Sequence, residues 1–363
     1  MRLSTTDLYY SWVFIFLVFC SNVISRGEMV NVRGYITWDD FKIDDGHKLK
    51  LDIKLEGGNN KTGFIVVDHN GGGDSTTVQG AVDMVPVDNS QRVKIYIRPG
   101  IYREKVYVPK NKPFLSFIGD ENRTLDTIIT WNDKASDKDE NGNEVGTYNS
   151  ASVFVESNYF CATGITFENA VVATAGDTGK QAVALRVAGE NAMFYRVRIL
   201  GTQDTLLDQV GSHYYYQSFI QGSIDFIFGD AKSLFKDCTI HSIANMSGAI
   251  AAQHRDSPWS DTGFSFVNCT ITGTGKILLG RAWGDYARIT YSYCNIDDII
   301  TPQGWNDWHQ PLRQRTAMVG EYMCKGKGAD RRYRVPWSKA LTYLEARNFL
   351  GIKFIEGESW LRL

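Results

Sequence analysis

A short hydrophobic pattern recurs through the middle of the chain: an aromatic residue, a small or β-branched residue three positions later, and an isoleucine two positions after that. Its six units are Phe160/Thr163/Ile165, Phe194/Val197/Ile199, Tyr215/Ser218/Ile220, Phe235/Cys238/Ile240, Phe266/Cys269/Ile271 and Tyr291/Cys294/Ile296. Each unit has the alternation typical of a strand. The intervals between units are unequal, which favours coils with variable loops over helical repeats of fixed length. We therefore predict an all-β parallel β-helix, a solenoid whose stacked coils bury one continuous core. A β-sandwich with coincidentally similar strands is the alternative.

Short helices are predicted near both ends, where a solenoid needs covers for its exposed core and strand edges. Valine and alanine recur at helical spacing over residues 78–85, directly after polar residues 74–76. Thr342 and Glu345 form a capping-box pair that predicts a terminal helix. The polar stretch 132–146 is predicted to be a surface loop.

The first 25 residues differ from the rest of the chain, because Arg2 precedes an apolar run from Trp12 to Cys20. This is the pattern of a signal peptide, and the run is short of the roughly 20 residues that span a bilayer. A signal anchor is the alternative. We expect a signal peptide at 1–25, an N-terminal extension at 26–63 and one folded domain at 64–363. The product should be secreted, without a membrane span.

Composition excludes one large class of function. The chain has 363 residues, a formal net charge of -2 and no run of lysine and arginine. The basic surface expected of a nucleic-acid-binding protein is therefore missing. Four glycosylation sequons, at Asn60, Asn122, Asn245 and Asn268, agree with export.

Five cysteines remain after the predicted cleavage, so at least one thiol is free. Cys238, Cys269 and Cys294 hold the same place in three successive units, where neighbouring Cα atoms should be about 4.8 Å apart. Either neighbouring pair could form a disulfide at that distance, and three packed thiols are the alternative. No cysteine or histidine spacing is typical of a zinc site, so we expect no metal.

Two carboxylates hold equivalent positions on successive coils. Asp204 lies five residues after Ile199, and Asp225 lies five residues after Ile220. Stacking should bring the side chains together, so that one pKa rises and the two titrate as a unit. Such a pair supplies a protonated acid beside an ionised nucleophile or base. Two solvated turn residues are the alternative, although the apolar run 226–228 after Asp225 favours a desolvated site.

Five ordered segments resemble the signature blocks of pectin methylesterases. They are Gly100-Ile101-Tyr102-Arg103-Glu104, Gln181-Ala182-Val183-Ala184-Leu185, Gln203-Asp204-Thr205-Leu206, Asp225-Phe226-Ile227-Phe228-Gly229 and Leu279-Gly280-Arg281-Ala282-Trp283. The resemblance runs from about Phe64 to Trp360. It implies a right-handed parallel β-helix and a secreted enzyme of the plant cell wall, of the subgroup without an inhibitory pro-domain. That enzyme would hydrolyse the C6 methyl esters of homogalacturonan and release methanol, without a cofactor.

The same resemblance implies a role for each polar residue of the blocks. Asp225 would be the nucleophile, and Asp204 would protonate the departing methoxide and then activate water. Gln181 and Gln203 would donate hydrogen bonds to the oxyanion. Arg281 would orient Asp225 and keep it ionised.

Substrate contacts are implied at Thr147, Gln181, Arg281 and Trp283. Trp305, Trp308 and Tyr286 are further candidates for the same groove. The resemblance also favours a disulfide between Cys238 and Cys269, a monomer, and a proteinaceous pectinesterase inhibitor as partner. Tyr102 and Glu104 are interpreted as structural. Ala282 departs from the family pattern, in which proline is common.

Two other functions stay open. Carboxylates about 5 Å apart also suit a retaining glycosidase, but paired glutamines that form an oxyanion hole favour ester hydrolysis. A polysaccharide-binding protein with an inactive site is the other alternative, and the presence of all five catalytic-type residues argues against it.

Overall fold

The short alternating segments of the chain form strands, as the computed structural model of residues 34–43, 63–173 and 177–363 shows. The predicted signal peptide, most of the predicted extension and Asn60 lie outside these residues. The compact unit is Tyr35–Leu363. Within it, Ile36, Trp38 and Phe41 pack on the β-helix.

The strands are β1 Ile36–Thr37, β2 Phe64–Val67, β3 Val93–Ile97, β4 Gly100–Arg103, β5 Val106–Val108, β6 Leu115–Ile118, β7 Thr127–Trp131, β8 Val153–Val155, β9 Cys161–Thr163, β10 Thr166–Asn169, β11 Leu185–Val187, β12 Ala192–Tyr195, β13 Arg198–Leu200, β14 Leu206–Asp208, β15 Ser212–Tyr216, β16 Phe219–Gly222, β17 Ile224–Gly229, β18 Lys232–Lys236, β19 Thr239–Gln253, β20 Gly263–Val267, β21 Thr270–Ala282, β22 Arg288–Ser292, β23 Asn295–Ile296, β24 Trp305–Asn306, β25 Met318–Tyr322, β26 Lys339–Ala340 and β27 Leu361–Arg362. The α-helices are α1 Val78–Met84, α2 Gly146–Asn149, α3 Arg313–Thr316 and α4 Tyr343–Ala346.

The strands stack in three parallel rows, and this confirms the predicted parallel β-helix. One row runs β2-β3-β6-β9-β12-β15-β18-β20-β22-β25-β26. A second runs β4-β7-β10-β13-β16, and a third runs β5-β8-β11-β14-β17. The long strands β19 and β21 continue through the bend between the second and third rows and join them into one sheet. The third row carries the site described below.

Aromatic rings of the repeat stack along the core. The consecutive rings of Phe194, Tyr215, Phe235, Phe266 and Tyr291 lie 4.5 to 4.9 Å apart, centroid to centroid. All five side chains are fully buried. The stack therefore fixes the register of five successive coils.

The first unit of the repeat is displaced from the others by two residues. Phe194 lies opposite Ala162, and Ile199 lies opposite Phe167. A slip of two residues keeps the same face of a strand buried. The sequence pattern therefore identified the strand correctly but paired it wrongly with the next coil.

Four cysteines form one column inside the solenoid, because Cys324 continues the predicted series Cys238, Cys269 and Cys294. Each thiol donates a hydrogen bond of 3.3 to 3.5 Å to a backbone carbonyl of the preceding coil. All four are free, as is Cys161. The predicted Cys238–Cys269 disulfide is therefore not present, and the column consists of packed thiols.

Helix α1 lies near the first coil, as predicted. Its residues Val78, Ala81 and Val82 are fully buried. The carboxylate of Glu104 accepts hydrogen bonds of 2.8 Å from the backbone amides of Val78 and Gln79. Glu104 therefore stabilises the N-terminus of the helix, which agrees with its predicted structural role.

The C-terminal segment does not follow the prediction beyond its first turn. The Thr342/Glu345 capping box is present, but helix α4 has only four residues. The chain then packs Phe354, Ile355 and Trp360 against the outer face of the first row of strands. Strand β27 finally pairs with β1. The C-terminal segment packs there because the outer face of that row is apolar around Met193, Tyr214 and Leu234.

Candidate active site

Asp204 and Asp225 lie at equivalent positions of adjacent coils, just before the core of strands β14 and β17. Leu206 pairs with Ile227, which aligns the residues two positions earlier. The amide of Asp204 donates to the carbonyl of Ile224 at 3.0 Å. Both aspartates have left-handed backbone conformations, with φ of 59° and 44°. Strained backbone of this kind, held by the surrounding coils, is a feature of functional sites.

Arg281 binds only one of the two carboxylates. It lies on β21, and its Nε donates to Oδ1 of Asp225 at 2.8 Å while its Nη2 contacts Oδ2. The guanidinium also stacks on the Trp308 ring, 3.9 Å from the ring centroid. The contact is bidentate and Asp225 is almost fully buried, so the guanidinium holds one orientation of that carboxylate.

The two carboxylates are electrostatically unequal. Burial, followed by the negative charge of Asp225, raises the pKa of Asp204 well above its ordinary value. Burial also raises the pKa of Asp225, but the hydrogen bonds and positive charge of Arg281 oppose that rise. Of the two carboxyl groups, Asp204 is therefore the one that holds a proton more readily.

Gln181 and Gln203 lie on adjacent coils, and Gln203 directly precedes Asp204 in the sequence. The backbone carbonyl of Gln203 accepts from Ala182 at 3.1 Å, and that of Gln181 accepts from Ala135 at 2.8 Å. These bonds fix the main chain. Both side chains are partly exposed, and neither amide makes a hydrogen bond within the described part of the chain. The amides are therefore free to donate to a ligand.

An apolar cluster lies on the third row of strands, within three residues of the carboxylates along the strands. Its buried residues are Ala151, Val183, Leu207, Phe228 and Ala252. Phe154, Trp283 and Trp308 pack against them and are partly exposed. The Trp283 ring lies 4.2 Å from that of His254 and 6.3 Å from that of Trp308. Partly exposed aromatic rings of this kind offer flat faces to a sugar.

Trp305 does not belong to the groove, contrary to the prediction. It is 1% exposed and its ring packs near Tyr291 in the core. Successive side chains of a strand point to opposite faces, so on β24 Trp305 points inward while Asn306 lies opposite Arg281 on the outside. Trp308 does lie at the site. Tyr286 is held by Arg255 through backbone carbonyl and amide bonds.

Thr147 lies in α2, at the end of the predicted loop 132–146. Asn169 fixes this region to the β-helix, because its side-chain amide donates to the carbonyls of Asp133, Ser150 and Val183 at 3.0 to 3.3 Å. Asn169 is 2% exposed. Sequence reasoning missed it. An asparagine at the end of strand β10 was its only signal.

Three further expectations from the sequence concern metal ions, glycosylation sequons and membrane spans. In the described segments, no group of three or more His, Cys, Asp or Glu side chains could hold a metal ion. The sequon residues Asn122, Asn245 and Asn268 are exposed. No helix in the described ranges has the length and apolar character to cross a membrane.

Comparisons with known proteins agree with this architecture. The Pectinesterase family model matches residues 64–358. Pectinesterase QRT1 of Arabidopsis thaliana is 59% identical over 357 residues, covering 94% of each chain. The solved structure of pectin methylesterase from carrot is 35% identical, with a TM-score of 0.76 over 85% of this chain and 96% of that one. The Aspergillus niger pectin methylesterase is 27% identical, with a TM-score of 0.71 over 83% of this chain and 96% of that one. Sequence, fold and site together show that the chain belongs to the pectinesterase family.

Proposed function

We propose that this protein hydrolyses the C6 methyl esters of homogalacturonan, with Asp225 as nucleophile and Asp204 as acid and then base. One observation carries the assignment of roles. Arg281 binds Asp225 bidentately and leaves Asp204 without a cation partner in the described chain. The family's activity and the names of its relatives supply the substrate class.

The first half of the reaction forms an acyl-enzyme. An oxygen of Asp225 attacks the ester carbonyl carbon, and the negative charge moves to the carbonyl oxygen. The free amides of Gln181 and Gln203 donate to this oxyanion. As the intermediate collapses, the bond from carbon to methoxy oxygen breaks and Asp204 gives its proton to the leaving oxygen, so that methanol departs.

The second half consumes water and restores the pair. Asp204, now ionised, removes a proton from a water molecule that attacks the acyl carbon. The bond between that carbon and Asp225 breaks, so the sugar leaves as a free carboxylic acid. Asp204 ends protonated and Asp225 ionised beside Arg281. The rate should fall as pH rises through the raised pKa of Asp204, because the general acid is then lost.

Substrate binding is proposed for the apolar and hydroxyl groups around this pair. Trp283 offers a ring face to a sugar, and Thr147 lies on the α2 segment that Asn169 holds against the third row of strands. Secretion to the cell wall and a monomeric state form part of the proposal. The leader pattern at 1–25 and the exposed sequons support export. A proteinaceous inhibitor remains a proposed partner.

Asp225→Asn tests the nucleophile while keeping the shape of the side chain. Methanol release from highly esterified pectin should fall by several orders of magnitude, and thermal unfolding should stay cooperative. Asp298→Asn is the matched control, since this carboxylate is exposed and pairs with Lys276. If Asp225→Asn keeps more than about a tenth of wild-type turnover, a barrier change below about 1.4 kcal/mol, the nucleophile is wrongly assigned.

The length of the pectin chain, followed in the same reactions, separates esterase from glycosidase. An esterase releases methanol at constant chain length. Shortening of the chain without methanol would instead indicate glycosidic cleavage by the same pair of carboxylates.

A further inference from the structure

A row of outward-facing side chains runs along the third row of strands, beside the proposed catalytic pair. In register order it contains Tyr107, Phe154, Arg186, Leu207, Phe228, Ala252, Arg281 and Asn306. It therefore carries two cations, Arg186 and Arg281. The proposed reaction uses only Arg281.

Arg186 is held rigidly, and every group that holds it is neutral. Its guanidinium lies 3.9 Å from the Phe154 ring centroid and 5.2 Å from that of Tyr148. Its Nε donates to Oε1 of Gln209 at 2.7 Å, and its Nη1 donates to the carbonyl of Tyr148 at 3.2 Å. Its Nη2 makes no hydrogen bond to a described residue. A stacked guanidinium with free donors is preorganised for an anion.

Arg186 has no ion pair with any carboxylate of the described chain. Glu156 is the acidic residue that contributes to its electrostatic surroundings. The carboxylate of Glu156 accepts the hydroxyl proton of Tyr107 in a short hydrogen bond, on the neighbouring coils. The positive charge of Arg186 is therefore available to an anionic ligand.

The position of Arg186 indicates which part of a ligand it meets. It lies on β11, two strands before β17, so its distance from the nucleophile along the solenoid is about 10 Å, twice the strand spacing of about 4.8 Å. That is too far to reach the reacting ester. A polysaccharide that lies along the row would bring a different sugar of the same chain to Arg186.

We propose that Arg186 binds the free C6 carboxylate of a galacturonate residue that has already lost its methyl group. This inference rests on the proposed function. A methyl ester carries no charge and accepts only weak hydrogen bonds, whereas a carboxylate accepts the free Nη protons and neutralises the guanidinium. The contact directs the enzyme to esters that lie near de-esterified sugars. The specificity therefore depends on the product of earlier turnovers.

The test compares kcat/KM on fully esterified and partly de-esterified homogalacturonan of equal length. The wild type should prefer the partly de-esterified substrate by about tenfold, as expected for one charged hydrogen-bonded contact. Arg186→Gln should abolish this preference and leave the rate on the fully esterified substrate within about twofold. Arg186→Lys should retain part of the preference. Added salt should weaken it in the wild type.

Arg198→Gln is the matched control. Arg198 also stacks on an aromatic ring, 3.9 Å from the centroid of Phe219, but it lies on the second row of strands. Its replacement removes the same charge and should leave the preference intact. An equal loss for Arg186→Gln on both substrates would show that Arg186 only supports the Tyr148 segment, and would overturn the proposal.

The wild type alone gives an independent answer if Arg186→Gln does not fold. No preference for the partly de-esterified substrate, with normal methanol release from the esterified one, overturns this inference and leaves the proposed function standing. No methanol release from either substrate overturns the proposed function itself.

Discussion

Truncation of Gln203 separates the proposed catalytic role from a structural one. The Gln203 amide makes no hydrogen bond within the described part of the chain, so Gln203→Ala leaves no buried partner unsatisfied. Its effect on the free energy of unfolding should stay within about 0.5 kcal/mol, as for a surface substitution. An oxyanion donor contributes only after the nucleophile has attacked, so kcat should fall about 100- to 1,000-fold, or about 2.7–4 kcal/mol in the barrier.

The assay is the initial rate of methanol release at several pectin concentrations, with thermal unfolding measured on the same samples. KM should change by less than about twofold, because the oxyanion does not exist in the bound substrate. Gln203→Glu should be at least as slow, since it removes the donor and places a negative charge beside Asp204. Gln91→Ala, an exposed glutamine before β3, is the control. A rise in KM at unchanged kcat would refute the reasoning and assign Gln203 to ground-state sugar binding.

Two further predictions concern the buried core. Burial alone would lower the pKa of His213. The Asp208 carboxylate and the Gly189 carbonyl, which are hydrogen-bonded to its two ring nitrogens, raise that pKa above the ordinary 6.5. The protonated His213 therefore stabilises the fold fully below pH 6.5, and this stabilisation is lost as the pH rises through the raised pKa. The difference in unfolding free energy between wild type and His213→Phe should therefore shrink from acidic to alkaline pH, and a constant difference would contradict this. For the thiols, alkylation of the native protein should label Cys324 first, because it is the least buried of the cysteines. All five described thiols should react after denaturation, and a Cys238–Cys269 disulfide in unreduced peptides would show the column to be oxidised.

The strand content and the stacking of the two carboxylates follow from local sequence. Alternating apolar residues define each strand independently of the strands with which it pairs. Asp204 and Asp225 each lie five residues after the isoleucine of their repeat unit, and this predicted that the two would be stacked. In parallel strands with aligned isoleucines, residues at equal distances from those isoleucines lie side by side. The register confirms this.

The partners of each strand were decided by tertiary structure. The first repeat unit slipped by two residues, since period-two alternation is satisfied equally by either register. Trp305 points into the core. The chain that follows α4 packs on the apolar outer face of the first row of strands, and the residues of that face are far apart in sequence. No local pattern records such a surface.

The sequence by itself determined which side chains the site contains, and the tertiary structure decided what each one contacts. Asp204 and Asp225 are chemically identical in the sequence. They differ only because Arg281, two strands further along the stack, reaches one of them, and because Trp308 supports that arginine. The positive charge of Arg186 likewise follows from the sequence alone. Its lack of a carboxylate partner within the described chain is a property of the fold, because hydrogen bonds and ion pairs depend on distances that only stacked coils create.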